Sequence, residues 1–146
     1  MIEPNIRLAK NQDLQAIVSL LLQLSPSSDA VSYHRLELIL EKIVNDENYY
    51  ILVCEVDNKI IGTSSVFIRK NLSHNGRSVA YLENMVVDKK FRSKGVGGSI
   101  MESMISISKS NHCYKIILDC SIKNVEFYEK LGFRLTNEAN MRMDIV

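Results

Sequence analysis

Leu14, Ile17, Val18 and Leu21 recur at spacings of three and four with polar residues between them, the pattern of a helix that turns one side toward a core. It predicts an amphipathic helix over residues 12–24, capped by Asn11 and ended by Ser25-Pro26-Ser27-Ser28. Leu36, Ile39, Leu40 and Ile43 repeat the spacing and predict a second helix that fades at Asn45-Asp46. Two helices are therefore expected ahead of the main sheet.

The pattern then changes. Tyr49–Val56 and residues 59–68 are rich in aromatic and β-branched residues. Asp57-Asn58 between them tolerate the positive φ of a tight turn, so the two runs predict a hairpin. Residues 70–76 read as a polar loop and Ser78–Val87 as the next strand, a succession that favours antiparallel pairing. The chain turns basic over residues 88–94 and glycine-rich over 95–98, after which Ile100, Met101, Met104 and Ile105 return to helical spacing. That helix stops near Asn111, and residues 114–118 form an apolar strand. A helix joining two strands in this way makes them parallel neighbours. Residues 125–131 predict a short helix closed by Gly132 in a left-handed conformation, and residues 133–145 supply one or two final strands. The expected class is α/β, with a mixed, largely antiparallel sheet flanked by helices in a single domain over residues 1–146 and no internal repeat.

The length of 146 residues suits one domain, and 46% hydrophobic with 24% charged residues excludes a disordered chain. A net charge of +1 gives no whole-surface field for nucleic acid or an anionic membrane. Three cysteines, Cys54, Cys113 and Cys120, are an odd and sparse set that fits a reducing compartment. Met1-Ile2-Glu3-Pro4 opens without a basic segment followed by an apolar one, and Ser19 and Gln23 interrupt the longest apolar stretch. A cytoplasmic protein without a membrane span is expected.

Candidate chemistry concentrates in Arg92-Ser93-Lys94-Gly95-Val96-Gly97-Gly98, between a strand and a helix. Glycines there let a ligand approach the backbone, and the unpaired N–H groups of a helix start suit an anion such as a pyrophosphate. Lys89, Lys90, Arg92 and Lys94 cluster beside it. A solvated basic loop is the equal alternative. Two nucleotide motifs fail on spelling: Gly98-Ser99 follows Gly97 where the P-loop needs a lysine, and Ile100 stands where the dinucleotide fingerprint needs glycine. His112, Cys113 and Cys120 lack the short paired spacing of a metal site, so no metal is expected. Ser99, Ser103, Ser106, Ser108 and Ser110 read as the solvent side of their helix, and no Gly-x-Ser-x-Gly elbow suggests a hydrolase.

Arg92-x-x-Gly95-x-Gly97 after the strand, with Asn124 and Tyr128 after the next, resembles the acetyl-CoA signature of the GNAT N-acetyltransferase superfamily. The run from Cys113 to Cys120 and Asn124-Val125-x-Phe127-Tyr128-Glu129-Lys130-x-Gly132-Phe133 resemble the glucosamine-6-phosphate N-acetyltransferase branch. The similarity covers about residues 81–133 and implies a GNAT fold, acetyl-CoA as cosubstrate, a small-molecule amine as acceptor and a homodimer.

The resemblance further implies that the strand around Glu83 splays from the strand of residues 115–119 to admit pantetheine. Met85, Val86 and Val87 would then line the cofactor, the amides near Met85 receiving the thioester carbonyl, Arg92 to Gly98 would hold its diphosphate, and Asn124 would also bind the cofactor. Tyr128 would protonate the leaving sulfur, for which a phenol pKa of about 10 against about 8.5 for a thiol is suitable. Its alternative is a packed aromatic. Glu83 and Asn84 would meet the acceptor, although the branch carries Glu-Asp where this chain has Glu-Asn. Amine deprotonation falls to Glu83, to water, or to the backbone carbonyl of Asp119 as an orienting acceptor, and a solvent-facing Glu83 is the plain alternative. Ser25, His74, Tyr114 and Lys115 match acceptor-contacting positions. Asp144 stands where the branch has an arginine, leaving Arg142 two residues earlier as the substitute. The carboxylate keeps other amines open, namely polyamines, aminoglycosides or protein N-termini, beside a silent acetyl-CoA-binding module.

Overall fold

The computed structural model describes residues 3–146, so Met1 and Ile2 of the opening segment lie outside it. Five strands form one sheet in the order of the chain: β1 (Asn5–Leu8), β2 (Tyr49–Val56), β3 (Lys59–Arg69), β4 (Ser78–Val87) and β5 (Cys113–Leu118). All neighbours are antiparallel except β4 and β5, which are parallel. The helices are α1 (Leu14–Leu24), α2 (Tyr33–Val44), α3 (Val96–Ser110) and α4 (Val125–Glu129). The hairpin turn is the one its residues demand, with Asp57 at φ 48° and Asn58 at φ 60°. α3 supplies the crossover that makes β4 and β5 parallel.

Several expectations are corrected. A strand precedes the first two helices: Asn5–Leu8 pairs with β2 from Asn5↔Glu55 to Leu8↔Leu52, and four residues are too few to show a period in the sequence. Asn11 is not the cap of α1. It opens a short 3-10 turn, and the Asp13 carboxylate accepts the Lys10 amide at 2.8 Å while Arg7 grips its two oxygens at 2.8 and 3.0 Å. Residues 133–145 hold no strand, and Leu135, Met141 and Ile145 are 70%, 91% and 84% exposed. The alternation is present, but no ladder joins this segment to the sheet, and an unpaired stretch has no ladder bonds to hold it as a strand.

The core has two layers. Leu52, Val66, Ala80 and Leu82 on one face of the sheet pack against Ile100, Met101 and Met104 of α3. On the opposite face Ile17 meets Val53, and Leu14 and Val18 meet Leu40. Ser108 departs from the solvent side expected of its serine row: it is buried and donates to the Met104 carbonyl at 2.8 Å, its hydroxyl satisfied inside the helix. No helix among the described residues is long and apolar enough to cross a membrane.

Candidate active site

The parallel pairing of β4 with β5 ends at Leu82↔Leu118, while β4 runs on to Val87 and β5 stops. The two strands therefore part beyond Leu82. On the other side of β4 the register jumps from Ser65↔Glu83 to Thr63↔Val86, so Asn84 and Met85 stand opposite the single residue Ser64. This is a β-bulge, and Asn84 takes a left-handed conformation at φ 55° to make it. Side-chain parity shifts across it: Ala80 and Leu82 face α3 before the bulge, Met85 and Val87 after it. Asn84 and Met85 lie outside both ladders, which leaves their peptide groups at the open end of the gap.

The glycine segment forms the turn into α3. Ser93 at φ 61° and Gly95 at φ 82° reverse the chain, and Gly95 precedes the first residue of the helix. The first helical bond runs from the Ser99 amide to the Gly95 carbonyl at 3.1 Å, so the amides of Val96, Gly97 and Gly98 lie ahead of the ladder as donors. Arg92 folds back to donate from Nε to the Val87 carbonyl at 3.0 Å, and Asp88 accepts the Lys90 amide at 2.9 Å. Gly97 is closely covered: a Cβ there would lie 3.2 Å from the Phe127 ring and 3.4 Å from the Met85 methyl. Gly98 is open, with nothing within 4 Å of a Cβ. Unpaired amides, basic side chains and small residues at this turn fit a diphosphate.

Tyr128 is half-buried in the last turn of α4. A Schellman-type closure fixes it, because the Phe133 amide returns to the Tyr128 carbonyl at 3.1 Å and the Gly132 amide to Glu129 at 3.0 Å, with Gly132 at φ 96°. Its ring meets Phe127 and Phe133 edge-on at centroid separations of 5.0 and 5.9 Å. Burial pushes the phenol pKa up, and the nearby Cys120 thiol adds to the rise. The group thus holds its proton at neutral pH, the state a proton donor needs.

The remaining candidate residues separate into groups. Glu83 and Asn84 are exposed at the bulge, and Asp119 is exposed just past β5. Asn124 is exposed at the start of α4, and Ser25 at the end of α1. His74, Tyr114 and Lys115 form a distinct cluster at the other end of β4 and β5. The His74 and Tyr114 rings stack at 4.0 Å, with Lys115 Nζ and the Arg77 guanidinium 5.3 and 5.4 Å from the Tyr114 centroid. Lys115 pairs with Val79, four residues before Glu83, a separation of about 13 Å along the strand. Arg142 is exposed and donates to Asp144 at 2.7 Å. A groove of about 640 Å³ lies elsewhere, between α1 and the β2–β3 turn, where Arg7 is paired with Asp13 and Glu55.

The family described as Acetyltransferase (GNAT) matches residues 14–133. The chain belongs to this family. Its glycine turn, the end of the β4–β5 ladder and Tyr128 all lie within the matched residues. The chain is similar to the glucosamine 6-phosphate N-acetyltransferase of Trypanosoma brucei brucei, 42% identical over 87 residues that cover 60% of this chain and 58% of that protein. It is similar to the Arabidopsis thaliana protein of the same name at 44% over 78 residues, 53% and 52% of the two chains. The match thus spans 58% and 52% of the length of these curated relatives. The crystal structure of the Arabidopsis thaliana glucosamine-6-phosphate N-acetyltransferase superposes with a TM-score of 0.89 at 32% identity, covering 99% of both chains. A Trypanosoma brucei acetyltransferase superposes at 0.87 and 32%, covering 98% of this chain and 100% of that one.

Two contacts of this GNAT domain had no signal in the sequence read residue by residue. Gln23, at the end of α1, donates to Asp88 at 3.3 Å and accepts the Lys89 amide at 3.1 Å, tying the helix that precedes Ser25 to the approach of the glycine turn. Phe127 covers Gly97 from α4. Both join elements distant in sequence, and only the folded chain reveals them.

Proposed function

We propose that the chain moves the acetyl group of acetyl-CoA onto the primary amine of an amino sugar, with glucosamine 6-phosphate as acceptor. The observation that carries this reading is the course of β4, which bulges where it parts from β5 and then leads straight into the glycine turn. One short segment thereby offers a slot, a bulged stretch of main chain and an anion cradle in series.

The amides of Val96, Gly97 and Gly98, with Ser93, Gly95, Arg92 and Lys94, would hold the diphosphate, and Asn124 would close the opposite wall. Met85, Val86 and Val87 would line the pantetheine arm. Acetyl-CoA supplies the activated acyl group. The amides at the bulge would receive the thioester oxygen as it gains charge, a well-aimed donor contributing about 3 kcal/mol to the barrier reduction. Tyr128 would give a proton or a hydrogen bond to the departing sulfur. Glu83 would take the proton of the attacking amine, directly or through water, while the Asp119 carbonyl orients that amine. Asn84 cannot share the task, since a carboxamide accepts no proton at neutral pH.

For the acceptor phosphate we assign Ser25, His74, Tyr114, Lys115 and Arg142. The separation of about 13 Å along β4 between the Lys115 level and Glu83 favours a homodimer in which the His74 cluster of one copy serves the cleft of the other. The uncovered Leu135, Met141 and Ile145 support an apolar contact between copies. Three free cysteines favour the cytoplasm.

A second reading rests on the Arg142–Asp144 pair. A carboxylate holding the only arginine of the final ten residues weakens any phosphate site built there, which favours an unphosphorylated amine. The test is to mix the protein with acetyl-CoA, a thiol reporter and a panel of amines. Release of CoA with glucosamine 6-phosphate well above glucosamine supports the first reading, equal rates support the second, and no release with any amine defeats acetyl transfer.

A further inference from the structure

The bulge in β4 has an unusual lock. A bulge withdraws a carbonyl from the regular ladder, and the carbonyl at its shoulder here belongs to Glu83. Two hydroxyls reach it: Ser64 Oγ donates at 3.2 Å and Ser65 Oγ at 3.3 Å. Both serines are buried, 1% and 5% exposed. Adjacent residues on a strand project to opposite faces. Gly62 faces Ile100 of α3, so Ser64, two residues on, approaches from the α3 side and Ser65 from the other. A backbone carbonyl lies near the plane of the sheet, where both can meet it.

The location of this double contact matters more than its energy. Glu83 is the last residue of β4 in register with β3 before the bulge, and the next two peptides are those of Asn84 and Met85. Fixing the Glu83 carbonyl fixes the orientation of the following peptide plane, and with it the left-handed turn at Asn84. We propose that Ser64 and Ser65 are positioning residues, clamping the Glu83 carbonyl from both faces and so aiming the bulge amides at the thioester oxygen. The proposal rests on the acetyl-transfer reading above. It assigns a catalytic consequence to two hydroxyls that touch neither substrate. Because either hydroxyl can hold the carbonyl, the two act as mutual substitutes.

Ser64→Ala, Ser65→Ala and the double variant test it against the unaltered protein, with kcat, the KM for acetyl-CoA and CoA affinity by calorimetry measured for each. Each single variant is expected to stay within about threefold of the original kcat. The double variant is expected to lose about tenfold or more, as misaimed reacting groups do, more than the product of the singles. The KM for acetyl-CoA and the affinity for CoA stay within about twofold, since the glycine turn is untouched. A hydroxyl pair that only fills space would lower the thermal midpoint and leave kcat of the folded protein unchanged, and that result overturns the clamp. If the double variant does not fold, Ser64→Cys with Ser65→Ala keeps the volume with a weak donor. It should show the same fall, and an unaltered kcat in it overturns the proposal. An unaltered protein that transfers no acetyl group to any amine overturns the acetyl-transfer reading and the clamp together. One that transfers normally beside an equally active double variant overturns the clamp alone.

Discussion

Gly97 and Phe127 are in direct contact, the first turn of α3 against the side chain of α4, with only 3.2 Å between a Cβ built on the glycine and the phenyl Cζ. The contact leaves a methyl at the turn assigned to the diphosphate a few tenths of an ångström short of room.

Gly97→Ala is expected to weaken CoA binding while barely moving the thermal midpoint. Phe127 is exposed enough to yield a few tenths of an ångström, and alanine regains up to about 1 kcal/mol of helix propensity that offsets the crowding. Gly95→Ala should do the reverse in stability: its φ of 82° penalises any Cβ by about 1 kcal/mol, with nothing nearby to clash. Calorimetric titration with CoA and thermal melts on the two variants separate the effects.

Tyr128→Phe removes the assigned proton donor and should depress kcat by about a hundredfold with CoA affinity little changed. Burial and the Cys120 thiol both hold the phenol pKa above its ordinary value. The thiolate disfavours a neighbouring phenolate, so Cys120→Ser should lower the Tyr128 pKa and bring the alkaline fall in rate to lower pH. A pH profile of kcat for both proteins measures this, and an unshifted alkaline limb would remove Cys120 from the site.

Gly62 of β3 lies against Ile100 and Val96 of α3. A Cβ there would come 2.8 Å from Ile100 Cδ1, and Ile100 is fully buried. Gly62→Ala should cost about 1–2 kcal/mol by overpacking. Adding Ile100→Val, which deletes that Cδ1, should recover part of the loss, a non-additivity that denaturant melts would detect.

Arg7, Asp13 and Glu55 join β1, the start of α1 and β2 through hydrogen bonds of 2.7 to 3.0 Å. Arg7→Met leaves the buried Asp13 carboxylate without its cation and should cost about 2 kcal/mol. The Arg7 hydrogen bonds hold the Asp13 pKa below its ordinary 3.8. A depressed carboxylate contributes its full stability above 3.8 and loses it as the pH falls through the folded value. Urea midpoints of the unaltered protein should therefore decline below about pH 4, and those of Asp13→Asn should be lower at neutral pH and flatter in that acid range.

The hairpin turn at Asp57-Asn58, the span Ser78–Val87 and the helix through Ile100, Met101 and Met104 were all legible in the sequence, because each is set by neighbours in the chain, although that helix begins at Val96, inside the expected glycine loop. Glycines and lysines between a strand and a helix were visible for the same reason, as was the Asn124 to Phe133 run around Tyr128. β1 was not legible: its four residues acquire a strand identity only by pairing with β2, some 45 residues away. Asn11 misled because a capping residue type was present, yet Arg7 drew Asp13 into the local bonding instead.

Local chemistry along the chain thus determined the class of fold, the turn that suits an anion and the motif run that contains Tyr128, since periodicity, turn residues and short motifs are contained in contiguous stretches. Tertiary structure alone decided that β4 bulges against Ser64, that Phe127 covers Gly97, and that His74 and Tyr114 stack far from Glu83. Those relations are distances between segments remote in sequence, and they exist only once burial of the two core layers has fixed which strands and helices are neighbours.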